Sequence, residues 1–329
     1  MLRRICVVAA HPQTMSKVLL TGGTGFIGVK CCQVLLDAGW SVHVLDSRPP
    51  KSDSTFYGDD KFSFQRGNIC SAMDVEKAIK GCDAVVHLAA QISVPESFEH
   101  PEENYHTNVV GTQIILDAAL SHGITSLISA SSAAVYGDAD QLPLSEVHAG
   151  SCLSPYAESK WENEHQIQQS RKDGLNAIAL RFFNVYGPGQ SATGGYASVI
   201  PKFIDMMSIG EAPTVHGDGS QTRDFVHVRD VSVAILKLLE LQEPFRHKVA
   251  NVCSQNEHSI LKLVEVINQG LILNNSLENP LKSIFKDIRR GDIHRSLGSN
   301  ARLQSMIDWT AEVNFEEGIF ELINEVTQR

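Results

Sequence analysis

The sequence lacks a long apolar run, a basic run and any pair of cysteines at metal-binding spacing. No stretch approaches the roughly 18 consecutive apolar residues of a membrane-spanning helix, so we expect no membrane partner. The formal net charge of −10, without a cluster of lysines and arginines, argues against a nucleic-acid partner. The seven scattered cysteines are typical of free thiols in a reducing compartment, and we therefore expect a cytoplasmic protein with no bound metal.

The composition is that of a globular protein: 43% of the 329 residues are hydrophobic and 20% are charged. The amino terminus, MLRRICVVAAHPQTMS, carries two arginines and an apolar run of only six residues, ICVVAA. The apolar core of a signal peptide needs about seven to fifteen residues. We therefore interpret residues 1–14 as a ragged extension or an overlong start, and residues 1–16 as lying outside the fold.

Apolar strand-like runs alternate with helical periodicity along the first half of the chain. The predicted strands are residues 17–20, 40–46, 62–69, 83–90, 126–137 and 176–187, and the two longest predicted helices are residues 104–122 and 156–172. This alternation predicts an α/β fold with a Rossmann-type, doubly wound parallel sheet. The alternation weakens after residue 187, which indicates a smaller carboxy-terminal lobe made of residues 188–224 and 256–329. Residues 17–187 form the main domain, and we expect residues 225–255 to return to it.

A glycine-rich segment, TGGTGFIG, follows the first predicted strand and opens a helix. Glycines at positions 22, 25 and 28 let backbone N–H groups and the helix amino terminus approach a pyrophosphate. The next predicted strand ends at Asp46, 18 residues after Gly28. An acid there accepts hydrogen bonds from the adenosine ribose and repels a 2′-phosphate, which favours NAD over NADP. Arg48 is weak evidence for NADP, because an arginine nearby can bind the 2′-phosphate.

A second segment, SPYAESK, places Tyr156 and Lys160 four residues apart. On a helix these side chains share one face, about 5–6 Å apart, although such pairs are common by chance. A tyrosine with a pKa near 10 is a poor base. A nearby ammonium group favours the phenolate and would make Tyr156 a better base.

Eight motifs carry a resemblance that covers nearly the whole chain from Lys17: TGGTGFIG (21–28), HLAA (87–90), NVVGT (108–112), SSAAVYGD (131–138), SPYAESK (154–160), RFFNVYGPGQ (181–190), GDGSQTRDFVHVRD (217–230) and RRGD (289–292). Their order and spacing resemble the extended short-chain dehydrogenases/reductases, the sugar-nucleotide epimerase/dehydratase family. UDP-hexose 4-epimerases are the most similar members. The resemblance implies a tightly bound NAD, a UDP-sugar substrate, and a homodimer in which helices 104–122 and 156–172 form a four-helix bundle with a second copy.

The resemblance also assigns site residues by position. It implies that Tyr156, Lys160 and Ser132 are catalytic. The implied NAD contacts are Gly22, Gly25, Phe26, Ile27, Gly28, Asp46, Asn68, Ile69, Leu88, Ala89, Ala90, Asn108, Ala130, Tyr156, Lys160 and Phe182. The implied substrate contacts are Ser132, Tyr156, Asn184, Val199, Arg223, Arg289, Asp292 and Ser296. The chain departs from the family pattern at Asn68, where an aspartate is common, and at Phe182, where a tyrosine is common.

Ala133 and Ala134 exclude some of the reactions that the resemblance allows. The family's 4,6-dehydratases have an Asp-Glu pair at these positions, and alanine cannot transfer protons. Oxidation at C4 to a transient 4-keto sugar, followed by reduction from the opposite face, remains.

The substrate stays open at this stage. Ser296 lies where epimerases restricted to unacetylated hexoses have a bulky tyrosine, so UDP-GlcNAc/UDP-GalNAc and UDP-glucose/UDP-galactose both fit. A UDP-glucuronate 4-epimerase and a net NAD(P)-dependent nucleotide-sugar reductase are the alternatives. A non-catalytic NAD sensor is disfavoured because Tyr156 and Lys160 are both present.

Overall fold

The structure is a computed structural model that describes residues 16–51, 54, 56–139, 141–192, 198–288 and 293–328. Its strands are β1 (Lys17–Thr21), β2 (Ser41–Asp46), β3 (Phe62–Arg66), β4 (Ala84–His87), β5 (Ser126–Ser132), β6 (Ala177–Phe182), β7 (Asn184–Tyr186), β8 (Thr214–His216), β9 (Thr222–His227), β10 (Val249–Val252), β11 (Glu257–Ser259) and β12 (Ile284–Lys286). Its helices are α1 (Phe26–Asp37), α2 (Ala72–Ile79), α3 (Val94–Glu99), α4 (Pro101–Tyr105), α5 (Gly111–Ser121), α6 (Pro155–Lys172), α7 (Val199–Ser208), α8 (Val228–Leu239), α9 (Ile260–Leu273), α10 (Ala301–Gln304) and α11 (Phe315–Thr327).

A parallel sheet of seven strands, in the order β3-β2-β1-β4-β5-β6-β10, forms the centre of the described part of the chain. Thr21, the last residue of β1, pairs with Leu45 on one side and with His87 on the other. The strand order therefore reverses between β1 and β4, and a crevice opens there at the carboxyl ends of the strands. The predicted Rossmann-type sheet is confirmed.

The central strands are buried on both faces. In β1, Leu20 belongs to an apolar cluster with Cys32 and Leu35 of α1, whereas Leu19 belongs to a second cluster with Ile115 of α5. Successive side chains of a strand point to opposite faces, so helices cover both sides of the sheet. This explains why the strands appear in the sequence as continuous apolar runs.

The segment predicted as a single sixth strand, residues 176–187, is two strands, and that prediction is wrong. β6 stays in the main sheet and pairs with β10, while β7 leaves it and pairs with β9. β11 completes this second sheet as the antiparallel neighbour of β9. Tyr186 of β7 packs in a third apolar cluster with Phe203 of α7 and Phe225 of β9, which also contains residues of α9 and α11.

The helix predicted for residues 104–122 contains a π-helical turn, His106–Val110, between α4 and α5. Backbone carbonyls in this turn accept hydrogen bonds from α6. The Asn163 amide donates to the Asn108 oxygen at 2.8 Å, and the Gln166 amide donates to the Val109 oxygen at 3.0 Å. π turns of this kind often occur at functional sites.

The apolar residues of α5 and α6 face their own core. Ile115 and Leu116 of α5 and Ile167 of α6 are fully buried against the sheet. The exposed residues of the two helices are polar, as at Asp117 and Glu162.

Among the described residues, no helix has the length and apolar character that a membrane crossing needs.

Candidate active site

The glycine segment forms a tight turn between β1 and α1. Gly22 has a φ of +72°, and a Cβ there would lie 2.6 Å from the Ala89 nitrogen. A Cβ on Gly28 would lie 2.1 Å from the Gly22 carbonyl oxygen. Both positions therefore exclude any side chain. The absence of side chains lets the backbone of the turn pack directly against the loop after β4 and against the start of α1.

The turn fits a pyrophosphate. The Thr24 hydroxyl is buried and has no hydrogen-bond partner in the described protein. Gly25 precedes α1 without a side-chain cap, and the first turn of α1 has no acidic residue. The helix amino terminus is thus open to an anionic ligand, as a dinucleotide site requires.

Asp46 lies at the end of β2 and is 9% exposed. Its carboxylate oxygens accept hydrogen bonds from the Thr24 backbone nitrogen and the Arg48 backbone nitrogen, each at 3.1 Å. The Arg48 side chain itself is exposed. The carboxylate therefore lies beside the glycine turn, where the sequence predicted the ribose contact.

The other predicted NAD contacts lie at the same edge of the sheet. They are Phe26 and Ile27 in the first turn of α1, Asn68 and Ile69 after β3, Leu88, Ala89 and Ala90 after β4, Ala130 near the end of β5, and Phe182 at the end of β6. Asn68 is exposed, and its side-chain oxygen accepts a hydrogen bond from the Cys70 nitrogen at 2.9 Å. The structure brings these residues together along one crevice, while their contacts with NAD stay predictions.

Ser132 and Tyr156 meet at the carboxyl end of β5. Ser132 is the last residue of β5, and its hydroxyl accepts a hydrogen bond from the Ala134 nitrogen at 3.1 Å. Tyr156 is the second residue of α6, which begins with Pro155 and is capped by the Ser154 hydroxyl. The Ser132 side chain lies beside the Tyr156 phenol, close enough to influence the pKa of the phenol through hydrogen bonding. The cap and the proline fix where α6 begins, and so place the phenol above the end of β5.

Burial controls the electrostatics of the site. It raises the pKa of Tyr156, and the hydrogen bond from Ser132 only partly offsets this effect. Burial also lowers the pKa of Lys160 to about 8, while its ammonium group donates to the Ala130 carbonyl oxygen at 3.0 Å. The sequence led us to expect that Lys160 would lower the pKa of Tyr156. In the chain by itself, desolvation outweighs that influence.

Asn108 braces two parts of the site. It is 1% exposed, and its amide accepts from the Gln91 nitrogen at 2.8 Å and donates to the Gln91 oxygen at 2.9 Å. The same amide donates to the Ser159 hydroxyl at 2.9 Å, and that hydroxyl donates to the Tyr156 carbonyl oxygen. Asn108 therefore connects the loop after β4 to the first turns of α6.

The remaining predicted substrate residues that the structure describes lie on β7, on α7, on β9 and in the segment that precedes α10. Asn184 is exposed at the start of β7, Val199 begins α7, and the Arg223 guanidinium donates to the Thr222 oxygen at 2.8 Å. Ser296 is 7% exposed. Its segment is bonded to β9, because the Gly298 nitrogen donates to the Asp224 carboxylate at 3.1 Å. Arg289 and Asp292 lie outside the described residues.

Two further buried polar arrangements lie near the site, and sequence reasoning missed the first. Arg181 of β6 and Glu164 of α6 form an ion pair at 2.7 Å, with side chains 1% and 4% exposed. The signal was a charged residue inside the apolar run of β6. The His87 ring contacts the hydroxyls of Thr21 and Thr112, at 2.7 and 3.0 Å, and burial lowers its pKa to about 3. His87 is thus a neutral brace between β1 and α5.

Metal ligands do not cluster here: within the ranges that the structure describes, no group of three His, Cys, Asp or Glu side chains could hold a metal ion. The six cysteines of those ranges are free thiols.

The chain is similar to known proteins over nearly its full length. It is 33% identical to a protein of Methanocaldococcus jannaschii provisionally named as a UDP-glucose 4-epimerase, over 93% of this chain and 97% of that protein. The solved UDP-N-acetylglucosamine 4-epimerase of Methanobrevibacter ruminantium has 32% identity and a TM-score of 0.86, over 95% of this chain and 99% of that one. The UDP-glucuronic acid 4-epimerase of Bacillus cereus has 25% identity and a TM-score of 0.85 over the same shares. A nucleotide-hexosamine dehydratase is also among the similar structures.

A family model matches residues 18–253, a span that contains the glycine turn, Asp46, Ser132, Tyr156 and Lys160. The matched span is well over half of the chain. The chain belongs to the NAD-dependent epimerase/dehydratase family.

Proposed function

We propose that this chain is an NAD-dependent UDP-sugar 4-epimerase, an isomerase that inverts C4 of a UDP-hexose through a transient 4-keto sugar. The observation that carries the proposal is the placement of Ser132, Tyr156 and Lys160 together at the carboxyl edge of the sheet, where Ser132 lowers the pKa of the Tyr156 phenol and Lys160 is bonded to the end of β5. When bound, NAD supplies the hydride acceptor and donor. The turn at Gly22 and Gly28 and the carboxylate of Asp46 fit that cofactor.

Tyr156 acts as the general base on the sugar hydroxyl at C4 and returns the proton once the keto sugar has turned. Ser132 hydrogen-bonds the same hydroxyl and the phenol, and so holds both groups in line. Burial raises the pKa of Tyr156, so the phenolate needs positive charge nearby. Lys160, with a pKa lowered to about 8, is mostly protonated at neutral pH and contributes part of that charge.

The turn after Ser132 supports epimerisation over dehydration. Ala133 and Ala134 occupy the first two positions of the short 3₁₀ helix Ala133–Tyr136, where an acid and a base would be needed to eliminate water. Their methyl groups transfer no proton. The reaction then ends with reduction of the keto sugar rather than with loss of water.

The residues proposed to hold the UDP moiety are Arg223, Arg289, Asn184, Asp292 and Val199. Arginine suits this task because its planar fork binds a diphosphate with two hydrogen bonds. Ser296 is proposed to limit the space beside the sugar C2 group. Its small, buried side chain supports an acetamido substrate, UDP-GlcNAc/UDP-GalNAc, besides UDP-glucose/UDP-galactose.

The test of the reaction uses the purified protein with UDP-glucose, UDP-GlcNAc or UDP-glucuronate, without added NADH, followed by separation of the products. An epimerase converts at least one sugar to its C4 epimer with the cofactor it carries. A net reductase would form product only after NAD(P)H is added, in proportion to the NAD(P)H consumed, and a uronate epimerase would act on UDP-glucuronate alone. A binding protein without catalysis would convert none of the three.

The matched variants are Tyr156→Phe and Tyr105→Phe, because Tyr105 is an exposed tyrosine outside the site, 57% accessible. Tyr156→Phe should lower kcat by about a hundredfold or more, and Tyr105→Phe should leave it unchanged. Wild-type epimerisation by Tyr156→Phe would show that Tyr156 is not the general base.

For the sugar pocket, Ser296→Tyr should abolish turnover of the acetamido sugar and keep that of UDP-glucose, with exposed Ser305→Tyr as the control.

A homodimer through α5 and α6 is also part of the proposal, as is a cytoplasmic location. The polar, exposed Asp117 and Glu162 would then lie in or beside the interface. Light scattering should give twice the monomer mass. Asp117→Arg should shift the protein to monomer at low concentration, and Asp205→Arg on α7 should not.

A further inference from the structure

A buried ion pair lies beside Ser131, the residue that precedes Ser132. The Arg181 guanidinium binds the Glu164 carboxylate through two parallel hydrogen bonds, from Nε at 2.8 Å and from Nη2 at 2.7 Å. Both side chains are almost fully buried. Removing two charges from water is costly, and apolar residues often fill such a position equally well or better. The pair therefore calls for an explanation beyond stability.

Glu164 connects α6 to the end of β5. Its Oε1 accepts a hydrogen bond from the Ser131 hydroxyl at 2.6 Å, and Ser131 directly precedes Ser132. Glu164 follows Lys160 by four residues and Tyr156 by eight, so the three side chains lie along one side of the helix. Lys160 donates to the Ala130 oxygen, one residue before Ser131. Consecutive residues of β5 are thus bonded to consecutive turns of α6.

Arg181 holds the other side of the Ser132 turn. Its Nη1 donates to the Tyr136 hydroxyl at 2.9 Å and to the Glu146 carbonyl oxygen at 3.0 Å. Tyr136 follows Ser132 by four residues and is fully buried. Its own hydroxyl donates to the Asn251 side chain of β10 at 2.6 Å. Ser131 and Tyr136 flank the turn of Ser132, and the same ion pair fixes both.

We infer that Arg181 and Glu164, acting through Ser131 and Tyr136, are positioning residues that hold the Ser132 hydroxyl against Tyr156. This inference rests on the proposed function for its effect on turnover. An effect on Tyr156 alone is also expected, because the Ser132 side chain lowers the pKa of the phenol.

Ser131→Ala is the most direct test, since it removes one hydroxyl and leaves the ion pair intact. The matched control is Ser170→Ala on α6: both serines are 4% exposed, and the Ser170 hydroxyl donates to the Ile167 oxygen of its own helix at 3.0 Å. Ser131→Ala should lower kcat roughly tenfold to a hundredfold and change KM less than about twofold, because misplaced groups slow the chemical step. Ser170→Ala should keep kcat, with a similar change in melting temperature. Ser131→Thr, which retains the hydroxyl, should recover most of the rate.

Tyr136→Phe is the second variant, because it breaks the contact with Arg181 without changing the size of the ring. It should lower kcat in the same way as Ser131→Ala. If both folded variants matched Ser170→Ala in kcat, the inference would be wrong.

A second measurement does not depend on turnover. Nuclear magnetic resonance of tyrosines labelled at Cζ, with Tyr156→Phe to assign the signal, follows the ionisation of Tyr156. Ser131→Ala should move this ionisation to higher pH, in the same direction as Ser132→Ala, and Ser170→Ala should not. If wild type converted no UDP-sugar, the proposed function would fail, and the titration would still decide whether Ser131 positions Ser132. An unchanged titration in Ser131→Ala would overturn the inference.

Discussion

The Lys160 ammonium group lies 3.0 Å from the Ala130 carbonyl oxygen, in an environment that leaves only 5% of the side chain exposed. Burial lowers its pKa from 10.5 to about 8. The unfolded chain, in which this lysine is hydrated, keeps the proton up to higher pH. Between pH 8 and 10.5 the unfolded state therefore binds more protons than the folded state, and folding becomes more favourable as the pH rises.

Replacing Lys160 should remove this dependence. In cofactor-free protein, the free energy of unfolding of wild type should rise relative to that of Lys160→Met by on the order of 1–3 kcal/mol between pH 8 and 10. Urea denaturation at several pH values measures it. The exposed Lys77→Met should follow wild type at every pH. A constant difference between wild type and Lys160→Met would contradict the prediction.

Ser132→Ala should slow the reaction and change its pH dependence. The hydrogen bond from Ser132 lowers the pKa of Tyr156, so its loss moves that pKa further up. Because the base must be deprotonated, the rising limb of the kcat profile should move to higher pH, with kcat at pH 7 reduced by about a hundredfold. Steady-state kinetics from pH 6 to 10 test this, with exposed Ser121→Ala as the control. A lower kcat with an unchanged position of the rising limb would show that Ser132 does not affect the ionisation of Tyr156.

Asp46→Asn should weaken NAD binding and relax the preference against NADP. The amide keeps the shape of the side chain but removes the negative charge beside the phosphate turn, and its single oxygen can accept from only one of the Thr24 and Arg48 nitrogens. We expect about a tenfold loss of NAD affinity and a smaller loss for NADP. Titration of cofactor-free protein with each dinucleotide measures both. Asp37→Asn, at the exposed end of α1, should retain wild-type affinities.

Gly28→Ala should destabilise the glycine turn even without cofactor. The new Cβ would meet the Gly22 oxygen at 2.1 Å, which the backbone can relieve only by moving. A loss of about 2–4 kcal/mol in the free energy of unfolding follows from comparable overpacking. Gly25→Ala is the graded control, because its Cβ would lie 3.2 Å from the same oxygen. Equal losses in the two variants would show that the contact is not the cause.

The sheet and the glycine turn were predictable because their determinants are local. Val18, Leu19 and Leu20 form an unbroken apolar run that predicts a strand buried on both faces. The split after Phe182 was not predictable, because it depends on β7 pairing with β9, about 40 residues further along the chain.

The same limit applies within the site. Spacing placed Tyr156 beside Lys160, but the direction of the Tyr156 pKa is set by burial, which depends on the packing of the whole site. Glu164 gave no local signal at all, since its partners Ser131 and Arg181 belong to two different strands.

The π turn at His106–Val110 sets the axial position of α6. Its carbonyl oxygens at Asn108 and Val109 are bonded to Asn163 and Gln166, so α6 cannot slide along α5 without breaking both bonds. A slide of one residue would displace the helix by about 1.5 Å. Tyr156 is the second residue of the same helix, two turns before Asn163. The π turn therefore determines how far the Tyr156 side chain of α6 extends into the crevice.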